Sequence, residues 1–212
     1  SGLNVKCSHE SKVYKALELN DARESIHHAI DWICDMPFSL KPVFIGYEIS
    51  TSLLRDYDLS SNILGVGLKS HPNDPWMLNN RAYVNARINK LDEAEKDMEQ
   101  LEHCNKALSE SMSICKEATH GLIAYRRKDR EKGRKLYEQA ILRASTMKEN
   151  SEEIKVKAQI NMLREEIIFS NYQNTSALME LEQLVIPNEK LELVKLRNEV
   201  FDEMKKNEKN QG

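Results

Sequence analysis

The sequence predicts an all-α chain built from helical hairpins packed one on the next, and three observations carry that prediction. Glycine (7) and proline (5) are scarce among 212 residues, so few positions favour turns and the chain must sit mostly in regular structure with short connections. Apolar residues recur at helical spacing in runs separated by brief polar breaks. Small residues return at matching places in successive runs, where they let helix axes approach closely. Charged residues at 31% and aromatic residues at 6% suit many exposed helix faces around a modest core.

The clearest hairpin lies at 74–101. An apolar-periodic run over 76–88 is followed by Asn89-Lys90 and a second run over 91–101. Asn89 can take the left-handed conformation that ends a helix, and Asp92-Glu93 place negative charge at the start of the next, where the helix dipole favours it. Before it, 44–54 carries Ile45, Ile49 and Leu53 on one stripe, Arg55-Asp56-Tyr57 turns the chain, and 58–68 forms the partner helix. After it, Lys128-Asp129 separates 118–127 from 130–145. Helices at 151–170 and 175–185, broken by 171–174, form a further hairpin. The segment 37–42, with Pro37 and Pro42, reads as a non-helical link. Pro187-Asn188 opens a last, highly charged helix from 189 to about 206, with Leu193, Leu196, Val200 and Phe201 inward and a disordered tail beyond it.

The segment 74–101 resembles a tetratricopeptide (TPR) repeat, a helical hairpin of about 34 residues. Leu78, Ala82, Leu91, Ala94, Met98 and Leu101 fall on that repeat's signature positions. The pattern recurs: Leu64 and Gly67 stand for Met98 and Leu101, while Gly121, Gly133, Tyr137 and Ala140 stand for Ala82, Ala94, Met98 and Leu101. Ala22, Ile26 and Ala29 do the same near the N-terminus. In the second unit strict counting puts Glu48 at the small position, with Gly46 the alternative if the turn is longer. Two glycines inside helices, at matching contact positions, point to close packing rather than to breaks. The resemblance implies a right-handed α-α superhelix, a TPR solenoid of about five hairpins plus a C-terminal capping helix. Its repeat array spans 1–187, with units at about 3–36, 41–72, 75–106, 114–147 and a divergent 151–187; the capping helix and tail occupy 188–212.

The resemblance further implies a scaffold that binds a partner peptide or helix in a concave groove lined by the first helix of each hairpin. That groove would take Trp76, Asn79, Tyr83, Ala86 and Arg87 from the third unit. The fourth would give Cys115, Ala118, Leu122, Tyr125 and Arg126, and the second Pro42, Ile45, Ile49, Ser52 and Leu53. Asn79, Tyr83, Arg87, Leu122, Tyr125 and Arg126 are the expected partner-binding residues. An Asn amide both donates and accepts, Tyr offers rigid area with a polar tip, and Arg clamps a carboxylate. Packing between hairpins is the competing reading for both tyrosines. The Lys/Asn/Arg clamp that some TPR domains use is missing, since Cys7 and Ser11 hold its first positions.

With 31 basic and 34 acidic residues, a net charge of −3 gives no overall case for nucleic acid or an anionic membrane. The run 126–135 is basic by seven to two and could meet an acidic ligand, but a solvated hairpin edge is the favoured reading. No apolar run spans a bilayer, and the start does not read as a signal peptide. Ser1-Gly2 looks like a tag-removal scar, which leaves open an accessory module of a larger catalytic chain. Cys7, Cys34, Cys104 and Cys115 are scattered, as for reduced thiols in a cytoplasmic protein. His27-His28, Cys7/His9, His103/Cys104 and Cys115/His120 give no four-ligand metal spacing. No catalytic motif appears, so neither an enzyme nor a cofactor is expected, and the oligomeric state stays open.

Overall fold

The computed structural model describes residues 8–104, 107–148, 151–187 and 190–211, with side chains as far as Asn207. Within them the chain is all-helical, with no strand. The helices are α1 (His9–Glu18), α2 (Ala22–Asp35), α3 (Leu40–Glu48), α4 (Tyr57–Ser70), α5 (Pro75–Arg87) and α6 (Leu91–Glu102). They continue as α7 (Glu110–Arg126), α8 (Arg130–Thr146), α9 (Ser151–Phe169), α10 (Thr175–Gln183) and α11 (Leu191–Gln211). A π-helical turn, Ile49–Leu53, extends α3. Consecutive helices pack as hairpins from α1/α2 to α9/α10; each hairpin contacts the next, and α5, α7 and α9 pack in a row. The arrangement is repeat-like.

The same local device closes every hairpin. Asn20, Arg55, Asn89, Lys128 and Asn171 all have left-handed backbone, with φ of 57°, 55°, 60°, 69° and 51°. The residue after each sends its N–H back to a carbonyl of the helix just ended: Asp21 to Ala16 (2.9 Å), Lys90 to Asn85 (2.8 Å), Asp129 to Ala124 (2.9 Å) and Tyr172 to Ile167 (2.8 Å). This Schellman closure satisfies the orphan carbonyls of a helix end. Asp21, Asp56 and Asp129 then cap the following helix by accepting from the N–H groups of Glu24, Leu59 and Lys132.

Ala82 and Ala94 are fully buried at the α5/α6 contact. At the α7/α8 contact a Cβ on Gly133 would stand 2.5 Å from Tyr125 Cδ2 and 3.0 Å from the Gly121 carbonyl. A Cβ on Gly67 would stand 2.7 Å from Val43 and 2.9 Å from the Met77 sulfur. These glycines hold helices together at distances no side chain permits.

Five local expectations are corrected. The stripe Ile45, Ile49, Leu53 does not face the core as a set: Leu53 is exposed, and the buried positions are Pro42, Val43, Gly46, Ile49 and Ser50. The π-helical turn inserts one residue and rotates the later positions, so Asp56 reaches back to Ser50 rather than one residue nearer. Gly46, not the exposed Glu48, sits on α4, with Ile63 3.4 Å from where a Cβ would be. Pro42 is helical, in the first turn of α3, where a proline has no hydrogen bond to lose. The helix α7 starts at Glu110, capped by Ser109, well before 118. Finally α11 continues to Gln211, since neither Gly nor Pro interrupts it; residues 1–7, 188–189 and 212, on which other expectations fell, lie outside the described residues.

One core runs through α1 to α8 and includes Trp32, Leu64, Met77, Leu78, Met98, Leu101 and Tyr137. A second joins Val156, Ile160, Leu163 and Ile167 of α9 to Ala177 and Leu181 of α10 and Leu193 and Val200 of α11.

Candidate functional site

Helices α5, α7 and α9 pack in a row, and side chains of α9 and α11 meet those of α5. Arg87 and Tyr83 share one side of α5, four residues apart, as one helix turn requires. Tyr83 donates its hydroxyl proton to Asn161 Oδ1 at 3.1 Å and accepts from Arg87 Nη1 at 2.8 Å. Arg87 Nη2 donates to Glu199 of α11 at 2.8 Å, with Glu203 3.7 Å away. The Arg87 guanidinium also lies 4.5 Å from the centre of the Tyr57 ring, and Tyr57 donates to the same Glu199 at 2.7 Å. Arg55 pairs with Asp202 at 2.9 Å, and Arg164 grips Glu203 at 2.9 Å and 3.0 Å. Burial would by itself lower the Arg87 pKa, but Tyr83, Tyr57 and Glu199 together raise it well above its ordinary value.

The expected groove residues therefore divide. Asn79, Tyr83 and Arg87 come together on α5, but Arg87 is buried by Glu199 rather than open to solvent. Leu122 and Tyr125 are 1% and 2% exposed and belong to the core. Tyr125 packs on Tyr137 and Phe169, with ring centroids 6.1 Å and 6.5 Å away, and donates to Glu166 at 2.6 Å. Arg126 is half-buried against Glu165, with Nη2 donating at 3.0 Å; its Nε sits 2.8 Å from the other oxygen but at too poor an angle for a hydrogen bond. The correction has a simple physical cause. Helices α9 and α11 carry Glu165, Glu166, Glu199 and Glu203, and these carboxylates pair with the arginines.

Sequence reasoning missed Tyr57, Arg164, Glu199 and Glu203. The available signal was the acidic set Glu199, Asp202 and Glu203, which shares one face of a helix by its spacing. The basic run 126–135 is mostly paired: Arg126 with Glu165, Arg127 with Asp92 and Glu95, Arg130 with Glu166, and Arg134 with Glu138 and Glu166.

Part of the face stays open. A cavity of about 220 Å³ between α5, α7 and α9 is lined by Trp76, Asn79, Asn80, Tyr83, Cys115 and Lys157. Asn79 is 4% exposed and its Oδ1 has no hydrogen-bond partner. Lys157 also lines a neighbouring cavity against Glu192 and Glu199 of α11. Burial first of all pushes the Tyr47 hydroxyl, on the rim of both, up to about 12.

Glu166 ties α7, α8 and α9 together. Burial would raise its pKa, but hydrogen bonds from Arg130 and Tyr125 and the charge of Arg134 outweigh that and hold it below the ordinary 4.5. A carboxylate with a lowered folded pKa contributes stability that is complete above the unfolded value and is lost as pH falls through the folded one. Glu166→Gln is expected to lower the melting temperature at pH 7, and the gap from wild type should narrow below about pH 4. Melting curves across that range check it.

Comparison with protein-family models, curated proteins and solved structures finds no match to this chain. The molecule is a helical-repeat-like all-α protein, and none of the described helices is long and apolar enough to cross a membrane.

Proposed function

We propose that the chain is a right-handed α-α superhelix of the tetratricopeptide type, acting as a protein–protein interaction scaffold. The face made by α3, α5 and α7 binds a partner helix or peptide, and α11 holds that face until the partner arrives. The observation that carries this reading is the docking of α11 through Glu199, Asp202 and Glu203 on Arg87, Arg55 and Arg164. A surface that already takes an acidic helix has the chemistry to take another. The matching partner presents carboxylates at helical spacing beside an apolar stripe, as α11 does with Leu193 and Val200. Part of α11's hold is charge, and Arg55 and Asp202 sit where solvent reaches them, so exchange is feasible.

A labelled synthetic peptide of residues 190–211 tests this in trans. In the intact chain α11 competes at an effective concentration on the order of millimolar, so the peptide should bind wild type weakly. Glu199→Gln/Glu203→Gln in the full chain weakens that competitor, and the peptide should then bind at least about tenfold more tightly. Adding Arg87→Met should remove the gain. No binding to the double variant, or binding indifferent to Arg87, would reject the face.

A further inference from the structure

In the first hairpin, the packing of α1 on α2 brings together polar side chains from both helices. His9 from α1 and His28 and Asp31 from α2 each offer a ligand atom, and these atoms all lie within 4.8 Å of one another. Each imidazole also has a carboxylate beside its Nε2. His9 Nε2 lies 2.8 Å from Asp35 Oδ2, and His28 Nε2 lies 3.1 Å from Glu24 Oε1. Both Nδ1 atoms are buried and have no hydrogen-bond partner among the described residues.

That pattern has a specific chemical meaning. A carboxylate that accepts from Nε2–H, as Asp35 does from His9, holds the ring and turns Nδ1 toward a ligating role. A buried ring nitrogen with no hydrogen-bond partner is unfavourable, and each of these two rings, grouped with Asp31, holds one. Carboxylate–histidine–metal relays have this order of groups. Two imidazoles and a carboxylate suit a borderline divalent cation such as Zn²⁺, which takes nitrogen and oxygen ligands at about 2.0–2.2 Å. The three ligand atoms must draw in from their present separation, and the exposed side chain of Asp31 has the freedom to do most of the closing. Hard cations such as Mg²⁺ prefer oxygen sets and should not compete.

We propose that His9 Nδ1, His28 Nδ1 and Asp31 form a divalent transition-metal site of the zinc class, with Asp35 and Glu24 orienting the two imidazoles. Water completes the coordination, and the bound ion staples α1 to α2. The α2 half is His28-x-x-Asp31, one helix turn apart, and the α1 half is the first residue of its helix. The site is independent of the α11-covered face and of any partner bound there.

The test uses the metal-free full chain and Zn²⁺ itself. Titration calorimetry should give one Zn²⁺ per chain, and the ¹⁵N signals of both Nδ1 atoms should shift on addition. Asp31→Asn changes an exposed residue, so the apo fold and its melting temperature should stay as in wild type while zinc affinity falls at least about tenfold. Asp35→Asn should cost about 10–100-fold by loosening the His9 ring. His9→Gln/His28→Gln should abolish the site, and millimolar Mg²⁺ should displace nothing. The proposal is overturned if wild type binds no Zn²⁺ at about 1 mM, if the double variant binds as wild type does, or if the Nδ1 signals stay unmoved while zinc binds.

Discussion

Replacing Arg87 with methionine is expected to release α11 from the face it covers. The Arg87 side chain is 1% exposed and its partner Glu199 9%, so the substitution leaves a carboxylate buried with only the Tyr57 hydroxyl to hold it. Breaking one partner of such a pair costs about 3–5 kcal/mol. The loss is bounded by the free energy of undocking α11, because a released Glu199 regains water. The expected signature is local: α11 loses protection while α5 to α8 keep theirs. Arg87→Met/Glu199→Met removes both charges and should recover much of the loss, giving a coupling of about 1–3 kcal/mol in a double-mutant cycle measured by chemical denaturation. Additive losses would mean that the two side chains do not meet.

Gly133→Ala is the second large effect, and it runs against intrinsic propensity. Alanine in place of a helical glycine should stabilise by about 1 kcal/mol. Here the new methyl would meet Tyr125 Cδ2 at 2.5 Å and the Gly121 carbonyl at 3.0 Å, and neither can withdraw: Tyr125 is held by Tyr137, Phe169 and Glu166, and a carbonyl moves only with its helix. Overpacking of this kind costs about 1–3 kcal/mol. The two terms leave a net loss of up to about 2 kcal/mol, which should lower the melting temperature by up to roughly 4–8 °C in a chain of this size. Gly65→Ala is the control, since its Cβ would meet only the tip of the Arg81 side chain, at 3.6 Å. There the propensity gain should appear.

Both predictions show what could be read in the sequence. The hairpins were legible because their punctuation is local: Asn89-Lys90 and Lys128-Asp129 mark left-handed closures, and Ala82, Ala94, Gly121 and Gly133 mark close contacts by their small size. The second hairpin defeated strict counting because one inserted residue makes a π-helical turn at Ile49–Leu53, and periodicity reads that as a phase error. Half of the candidate face, Asn79, Tyr83 and Arg87, was placed together because α5 alone sets their spacing. What covers it was not legible. The contacts Arg87–Glu199 and Arg55–Asp202 join residues more than a hundred positions apart, and a charged helix reads the same whether its acids face water or arginine. His9 and His28-x-x-Asp31 escaped for a related reason, since only the packing of α1 on α2 brings them together.

The central claim is that α11 occupies the face of the first helices through its acidic side chains. Native-state amide hydrogen exchange on the full chain tests it most directly. Amides of residues 196–204 should be protected in wild type and should exchange at least about tenfold faster in Glu199→Lys, with α5–α8 unchanged. Equal protection in the two proteins, or none in wild type, would contradict the account.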